Sequence, residues 1–442
     1  MTPRPAERLA DRFRRLTEGW QWGNRRIVAL AAVLLAVLLA LTVYRTVAFY
    51  QTPGPFTPER QGLCDFHNGI YFPTRAILAG ESPYSHAYAA KYPVARQIPF
   101  FSPVILVLHA PLAVLPLHLG EAIHHLLQWV MLGCIAILAA TAASARRLDV
   151  VLVVAAAMAS SRAGHVTLFT GYFTFQLVLA TLLALRWADR RPWYSAIALM
   201  IVASKPTYIL PLGFLMLARG NYAALLRGAA LSLLGTAATL APLAYQEGNG
   251  SFARGAEVLV DQIAQTQAVH RSMEDESPVF SWTRLDLFAI VAKWRGEDPG
   301  DLQHLLVMFV LLAVPMAVLW RRRGANASDG GGGLDSALIL TATLVSLYHQ
   351  SYDALLMVVP VTAILLGIRQ PWPRFGLAGR LLLAALLAWP LWNYLSTRMF
   401  LLRLDLSPDW VKVMTSLNGL ALAAGLVWLC IGGWKYREAE SW

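Results

Sequence analysis

The chain has 442 residues, 57% of them hydrophobic and 14% charged, with a mean hydropathy of +0.50. These values exclude an ordinary soluble domain and describe a polytopic membrane protein; at roughly 20 apolar residues per span, the length allows about a dozen crossings. The net charge of +11 does not point to nucleic acid, because the basic residues crowd into short loops between apolar runs, where they orient a chain in a bilayer. Cys64, Cys134 and Cys430 are far apart and form no CxxC or Cys/His spacing, so neither a disulfide framework nor a zinc site is expected.

Arg4, Arg8, Arg12, Arg14, Arg15, Arg25 and Arg26 mark residues 1–26 as a basic cytoplasmic tail. The apolar run Ile27–Phe49 is too long for a cleaved signal and is predicted to cross outward. An outer loop, 50–100, follows. It carries Cys64-Asp65-Phe66-His67 and a stretch, Asn68–Ala79, whose apolar spacing predicts a short helix lying on the membrane surface. The next stretch, Phe100–Ala145, is long enough for two spans but ends in Arg146-Arg147. It is expected to cross once in net, its first half broken by Pro103, Pro111 and Pro116.

Val150–Ser161 leads to a predicted outer loop, Arg162–Gly171, and Tyr172–Trp187 returns to Asp189-Arg190-Arg191. Trp193–Ala218 starts and ends beside basic loops, so it reads as re-entrant. Lys205-Pro206 at its midpoint predicts a broken helix with Lys205 at the tip, a break tolerated only where it lines a cavity or is buried in protein. Ala223–Tyr245 goes outward to a polar outer loop, 246–301, with ten acidic residues, Glu274-Asp275-Glu276 among them. Surface helices are expected there near Ser251–His270 and Trp282–Trp294. Leu302–Trp320 returns to Arg321-Arg322-Arg323 and a glycine-rich linker from Asp329 to Gly333, which lacks the Gly-Lys-Ser/Thr of a phosphate loop. Leu334–Leu347, Leu355–Ile368, Leu381–Phe400 and Val411–Trp434 complete the predicted bundle. It is a single membrane domain, 27–434, with a short cytoplasmic tail, 435–442.

This topology brings Asp65, Tyr172, Lys205, His349, Tyr352 and Asp353 to the outer half of the membrane, with Arg162. A carboxylate at the bilayer edge among aromatic rings is a candidate general base for a lipid-linked substrate. A lysine at membrane depth is costly and points to an anion. His118, His124 and His125 lie near one carboxylate, Glu121, but read as a metal set only superficially.

The sequence resembles the polyprenyl-phosphate-mannose-dependent mannosyltransferases of the GT-C superfamily, glycosyltransferase family eighty-seven. The resemblance is carried by Asp65-Phe66 after the first span, Arg75-Ala76-Ile77-Leu78-Ala79-Gly80, Ser82-Pro83-Tyr84, Ala110 to Pro116, Lys205-Pro206 and His349…Tyr352-Asp353. The chain departs from that pattern at Phe101-Ser102-Pro103 and at Gly171-Tyr172-Phe173-Thr174. The resemblance implies an all-α, GT-C-like bundle of about 11–13 transmembrane helices, with short surface helices in the outer loops. It implies an inverting transferase that moves a sugar, mannose by analogy, from a polyprenyl-phosphate donor to a glycolipid or glycan acceptor outside the cell membrane. Asp65 is the expected base. Lys205, with His349 or Arg162, is expected to hold the phosphate, and His67, Arg75, Tyr84, Tyr172, Tyr352 and Asp353 to contact substrate. No metal or other cofactor is expected. The rival reading is a transporter or flippase of a lipid-linked sugar, which needs the cavity and the cations but no base.

Overall fold

The structure is a computed structural model that describes residues 20–57, 59–98, 102–274, 276–323 and 331–436. Arg4, Arg8, Arg12, Arg14 and Arg15 of the predicted tail, Phe100, Phe101, Asp275, Asp329 and Gly330 lie outside the described residues. The described residues form helices and no strand, only isolated bridges. Six helices are long and apolar enough to cross a membrane: Arg25–Ala48, Leu117–Ala142, Tyr222–Glu247, Asp301–Arg321, Trp372–Ser396 and Pro408–Lys435. A seventh span arises if Leu148–Ser160 and Arg162–Thr170, which meet at 70°, are counted together. In the first helix only Ala31, Thr42 and Thr46 are buried, while Leu30, Val37 and Val47 stand exposed; an apolar helix with so little covered surface is built to face lipid.

Proline sets most of the helix starts in the Phe100–Ala145 stretch. Pro103 precedes Val104–Leu108, Pro111 stands in the first turn of Ala110–Ala113, and Pro116 precedes the single long helix. The stretch therefore holds two short helices and one span-length helix. Prolines also shape the Trp193–Ala218 stretch, which forms the helices Pro192–Val202 and Pro206–Arg219 with Lys205 between them. The two open ends of this hairpin meet. Arg219 Nη2 lies 3.2 Å from Asp189 Oδ2, and Asn221 Nδ2 donates to Asp189 Oδ1 at 2.6 Å. Both arms thus start and finish at one end of the bundle, as the re-entrant reading requires, and Lys205 is at the opposite tip.

The arginine-rich connections gather at the end where the hairpin closes. Gln21 N donates to Arg146 O at 3.0 Å, Arg322 Nε to Asp335 Oδ1 at 2.6 Å, and Trp372 Nε1 to Gly332 O at 2.9 Å. Running through the centre is Leu334–Ser346, in which all thirteen residues are buried. It packs on Pro206–Arg219, Asp301–Arg321 and Pro408–Lys435.

At the other end, the first loop folds as a short helix Cys64–Phe66, a π-helical turn His67–Tyr71 and a helix Phe72–Leu78. This segment does not lie on the membrane surface as its apolar spacing suggests. His67 through Thr74 are buried, because Ala110–Ala113 and Val104–Leu108 pack against them. The predicted outer loop Arg162–Gly171 is likewise helical up to Thr170. The two helices expected in the 246–301 loop appear as Phe252–Ser272 and Leu287–Arg295.

Gly171 fixes the approach of the Asp65 turn. Its φ is +77°, and a Cβ there would lie 2.8 Å from Phe66 Cβ. Leu63 N donates to Phe169 O at 2.9 Å beside it. Gly171→Val combines left-handed strain with a clash and is expected to cost about 3 kcal/mol, read as a lower melting temperature in detergent. A variant that melts with the wild type would mean that the turn is not held by this contact.

Candidate active site

Lys205 precedes Pro206, and a residue before proline is pushed out of the helical region; its φ is −121° and its ψ 101°. The extended backbone ends one helix and lets the side chain leave the hairpin tip. Nζ lies 2.9 and 3.1 Å from the two carboxylate oxygens of Asp353. Asp353 is fully buried and also accepts from the Tyr208 hydroxyl at 2.7 Å and from Gln350 N at 3.0 Å. The rings of Tyr208, Tyr352 and Tyr348 stand 5.0, 5.3 and 5.8 Å from the ammonium. Four charge-assisted bonds and three ring faces offset the cost of taking both charges out of water.

Asp65 sits on the short helix Cys64–Phe66, partly exposed, with Arg96 Nη2 at 3.1 Å from Oδ1. The loop bearing Arg96 is tied down next door, where Ala95 N donates to Asn68 Oδ1 at 2.8 Å. Arg96 Nη1 is also 4.0 Å from Glu276 Oε1. Glu276 in turn accepts from the Tyr348 hydroxyl and, at 3.3 Å, from Gln350 Nε2. Gln350 and Asp353 cap each other at the start of the Ser351–Met357 turn. One run of polar contacts therefore leads from Asp65 through Arg96, Glu276, Gln350 and Asp353 to Lys205. Tyr172 lies among these groups, its ring 5.6 Å from that of Tyr352. Burial, followed by the Asp353, Asp65 and Glu276 carboxylates, holds its phenol well above the ordinary range.

Asp65, Lys205, Asp353, Tyr352 and Tyr172 are thus brought together as their positions in the sequence suggest. His349 is beside them but in a different state from the one expected. Its Nδ1 donates to Leu347 O at 3.0 Å, Nε2 is buried without a hydrogen bond, and burial lowers its pKa to about 4, with Asp353 opposing and Lys205 reinforcing. A neutral ring packed 4.8 Å from Tyr208 is not a cation for a phosphate.

The other predicted contacts lie off this run. His67 Nε2 is 2.6 Å from Glu121 Oε1, which also accepts from Tyr50. Arg75 is exposed, over the Tyr71 ring at 5.7 Å. Tyr84 is buried, and its carbonyl is 3.5 Å from Thr266 Oγ1 on the Phe252–Ser272 helix. Arg162 is buried and donates to Asn393 O at 3.0 Å and Ser396 Oγ at 2.6 Å, so it braces helices instead of joining Lys205. No group of three His, Cys, Asp or Glu residues is arranged to hold a metal ion among the described residues.

Sequence reasoning missed Arg96, Glu276, Tyr208, Tyr348 and Gln350. Tyr208 was findable, since three residues past Lys205 on a new helix places it on the same face. Arg96 and Glu276 carry no local signal, because each matters only through a partner from another loop.

Comparison with known proteins decides the family. The profile of glycosyltransferase family 87 matches residues 100–346, more than half of the chain. The chain belongs to glycosyltransferase family 87. The match takes in Lys205, Tyr208 and Glu276; Asp65, Arg96 and the Tyr348–Asp353 turn lie outside it. No curated protein and no solved structure matches. This family-87 protein is a membrane glycosyltransferase, and its bilayer, glycosyl donor and acceptor follow from that.

Removing one partner of a buried pair strands the other. Asp353→Asn is expected to destabilise the protein by about 3–5 kcal/mol through the unpaired Lys205, measured as thermal unfolding in detergent. Adding Lys205→Met to it should recover part of the loss. Unchanged melting of the single variant would show that the pair does not hold the hairpin tip.

Proposed function

We propose that the protein is an inverting, metal-independent transferase that moves mannose from a polyprenyl-phosphate donor to a glycolipid or glycan acceptor at the outer face of the cell membrane. The observation that carries this reading is the polar run from Asp65 to Lys205, at the end of the bundle away from the arginine-rich connections. A carboxylate and two cations within one run are the parts that transfer from a phosphate needs. Phosphate is a good leaving group, so cations serve it and a second carboxylic acid is not required.

Asp65 takes the proton of the acceptor hydroxyl as that oxygen attacks the anomeric carbon. The bond from that carbon to the phosphate oxygen breaks, and the electron pair leaves with the polyprenyl phosphate. The two cations divide the work. Arg96, a quarter exposed, exchanges Asp65 for the donor phosphate when the site fills. Lys205 stays on Asp353 and contributes a fixed positive field next to the departing charge. Tyr172 and Tyr352, partly exposed, offer ring faces to the sugar. His349 holds the turn, its carbonyl accepting from Leu285 N at 2.9 Å.

Asp65→Asn is expected to lower the transfer rate by about 10²- to 10⁴-fold at unchanged expression and melting. The readout is sugar moved from radiolabelled polyprenyl-phosphate-mannose to membrane lipids. An asparagine variant with the wild-type rate rules out Asp65 as the base.

The sidedness has its own test. Glu59 is exposed near the Asp65 turn. A Glu59→Cys protein should react with an impermeant thiol reagent in intact cells, and labelling only after lysis would reverse the orientation.

A further inference from the structure

Arg162 is a buried guanidinium whose partners are neutral: the Asn393 carbonyl and the Ser396 hydroxyl. It does not stand alone. His165, one turn further along the same helix, accepts from Arg45 of the first long helix. Arg45 is exposed and covers the Phe169 ring at 4.6 Å. Tyr394, exposed, donates to Ser160 O at 2.9 Å and lies within electrostatic reach of both Arg45 and Arg162. Among the described residues no carboxylate pairs with Arg45, Arg162 or His165. This contrasts with Lys205, Arg219, Arg284 and Arg322, each of which has an aspartate.

Two uncompensated guanidiniums at the rim of a bilayer are costly unless an anion completes them. Arg45 stands in the last turn of the first long helix, about 30 Å of helix rise from its start, the depth at which lipid phosphates lie. An apolar groove of about 380 Å³ lies between the helices Gly376–Trp392 and Pro408–Lys435, lined by Ala385, Leu386, Trp389, Leu417, Leu420 and Ala424. That first helix ends at Trp392, and the next residue, Asn393, offers Arg162 its carbonyl, so the groove wall at Trp389 stands four residues before the residue that holds Arg162.

We infer that Arg45, Arg162, His165 and Tyr394 form a second lipid site, which takes the phosphodiester of a resident glycerophospholipid with a chain lying along the groove. Among the described residues the cluster shares no hydrogen bond with Lys205, Asp353 or Asp65, so its lipid sits apart from the polar run of the candidate active site. Arg45 and His165 reach the phosphate from the lipid side, and Arg162 neutralises it from within.

The test uses the full chain in nanodiscs of phosphatidylglycerol, and native mass spectrometry counts the phospholipids retained on release. The wild type is expected to keep one more than an Arg45→Gln/His165→Gln variant, with about fivefold weaker retention per lost arginine charge. Both positions are at least partly exposed, so the variant should fold, and its melting temperature in lipid-free detergent checks this. Equal retention by the two proteins overturns the site. So does stabilisation of the wild type by inorganic phosphate alone to the same extent. Retention of polyprenyl monophosphate in preference to phosphatidylglycerol overturns the assignment to a resident phospholipid.

Discussion

The Lys205–Asp353 pair is the contact on which the rest of this end of the molecule depends. A lone charge of either sign at that depth is unaffordable, so the hairpin tip and the Ser351–Met357 turn have to meet. Once they do, every neighbour is constrained. Tyr208 and Gln350 N take up the remaining carboxylate capacity, and Tyr348 and Tyr352 close on the ammonium. Through Gln350 and Glu276 the constraint passes to the 246–301 loop, and through Arg96 to the first loop. The position of Asp65 is thus partly set by a residue from the middle of the chain.

The two ends of the bundle manage charge differently. At the arginine-rich end, cations are held by aspartates and helix-terminal carbonyls: Arg219 on Asp189, Arg322 on Asp335, Arg323 on Ala218 O and Leu217 O. These contacts close helix ends, as cations beside C-terminal carbonyls do. At the other end charged side chains also bridge one loop to another, as Arg96 does between Asp65 and Glu276, and Asp65 and Arg96 remain partly exposed.

Much of this arrangement was legible in the sequence, and the exceptions have physical causes. The lysine before Pro206, between two basic loops, was enough to place a broken helix and its tip. Its partner could be narrowed only to the acidic groups brought to the same end, Asp65 or Asp353, because Asp353 lies 148 residues away and pairing at that separation leaves no periodic trace. The Asn68–Ala79 segment misled because apolar residues at helical spacing show one face to be covered and say nothing of its polar residues. They are in fact satisfied inside, Asn68 by Ala95 N and Thr74 by Leu106 O. Arg162 misled for a related reason. An arginine at a break in an apolar stretch reads as a loop residue, yet the break is a bend of 70° and the side chain turns inward.

The helix Leu334–Ser346 has no lipid-facing side and rises only about 20 Å, well short of a roughly 30 Å hydrocarbon layer. Such a segment has no stable resting place as a single span. Its shelter is assembled from Pro206–Arg219, already made when it emerges from the ribosome, and Pro408–Lys435, which is made much later. The shelter of this central helix is therefore complete only once Pro408–Lys435 has been made, after Pro206–Arg219 and Asp301–Arg321.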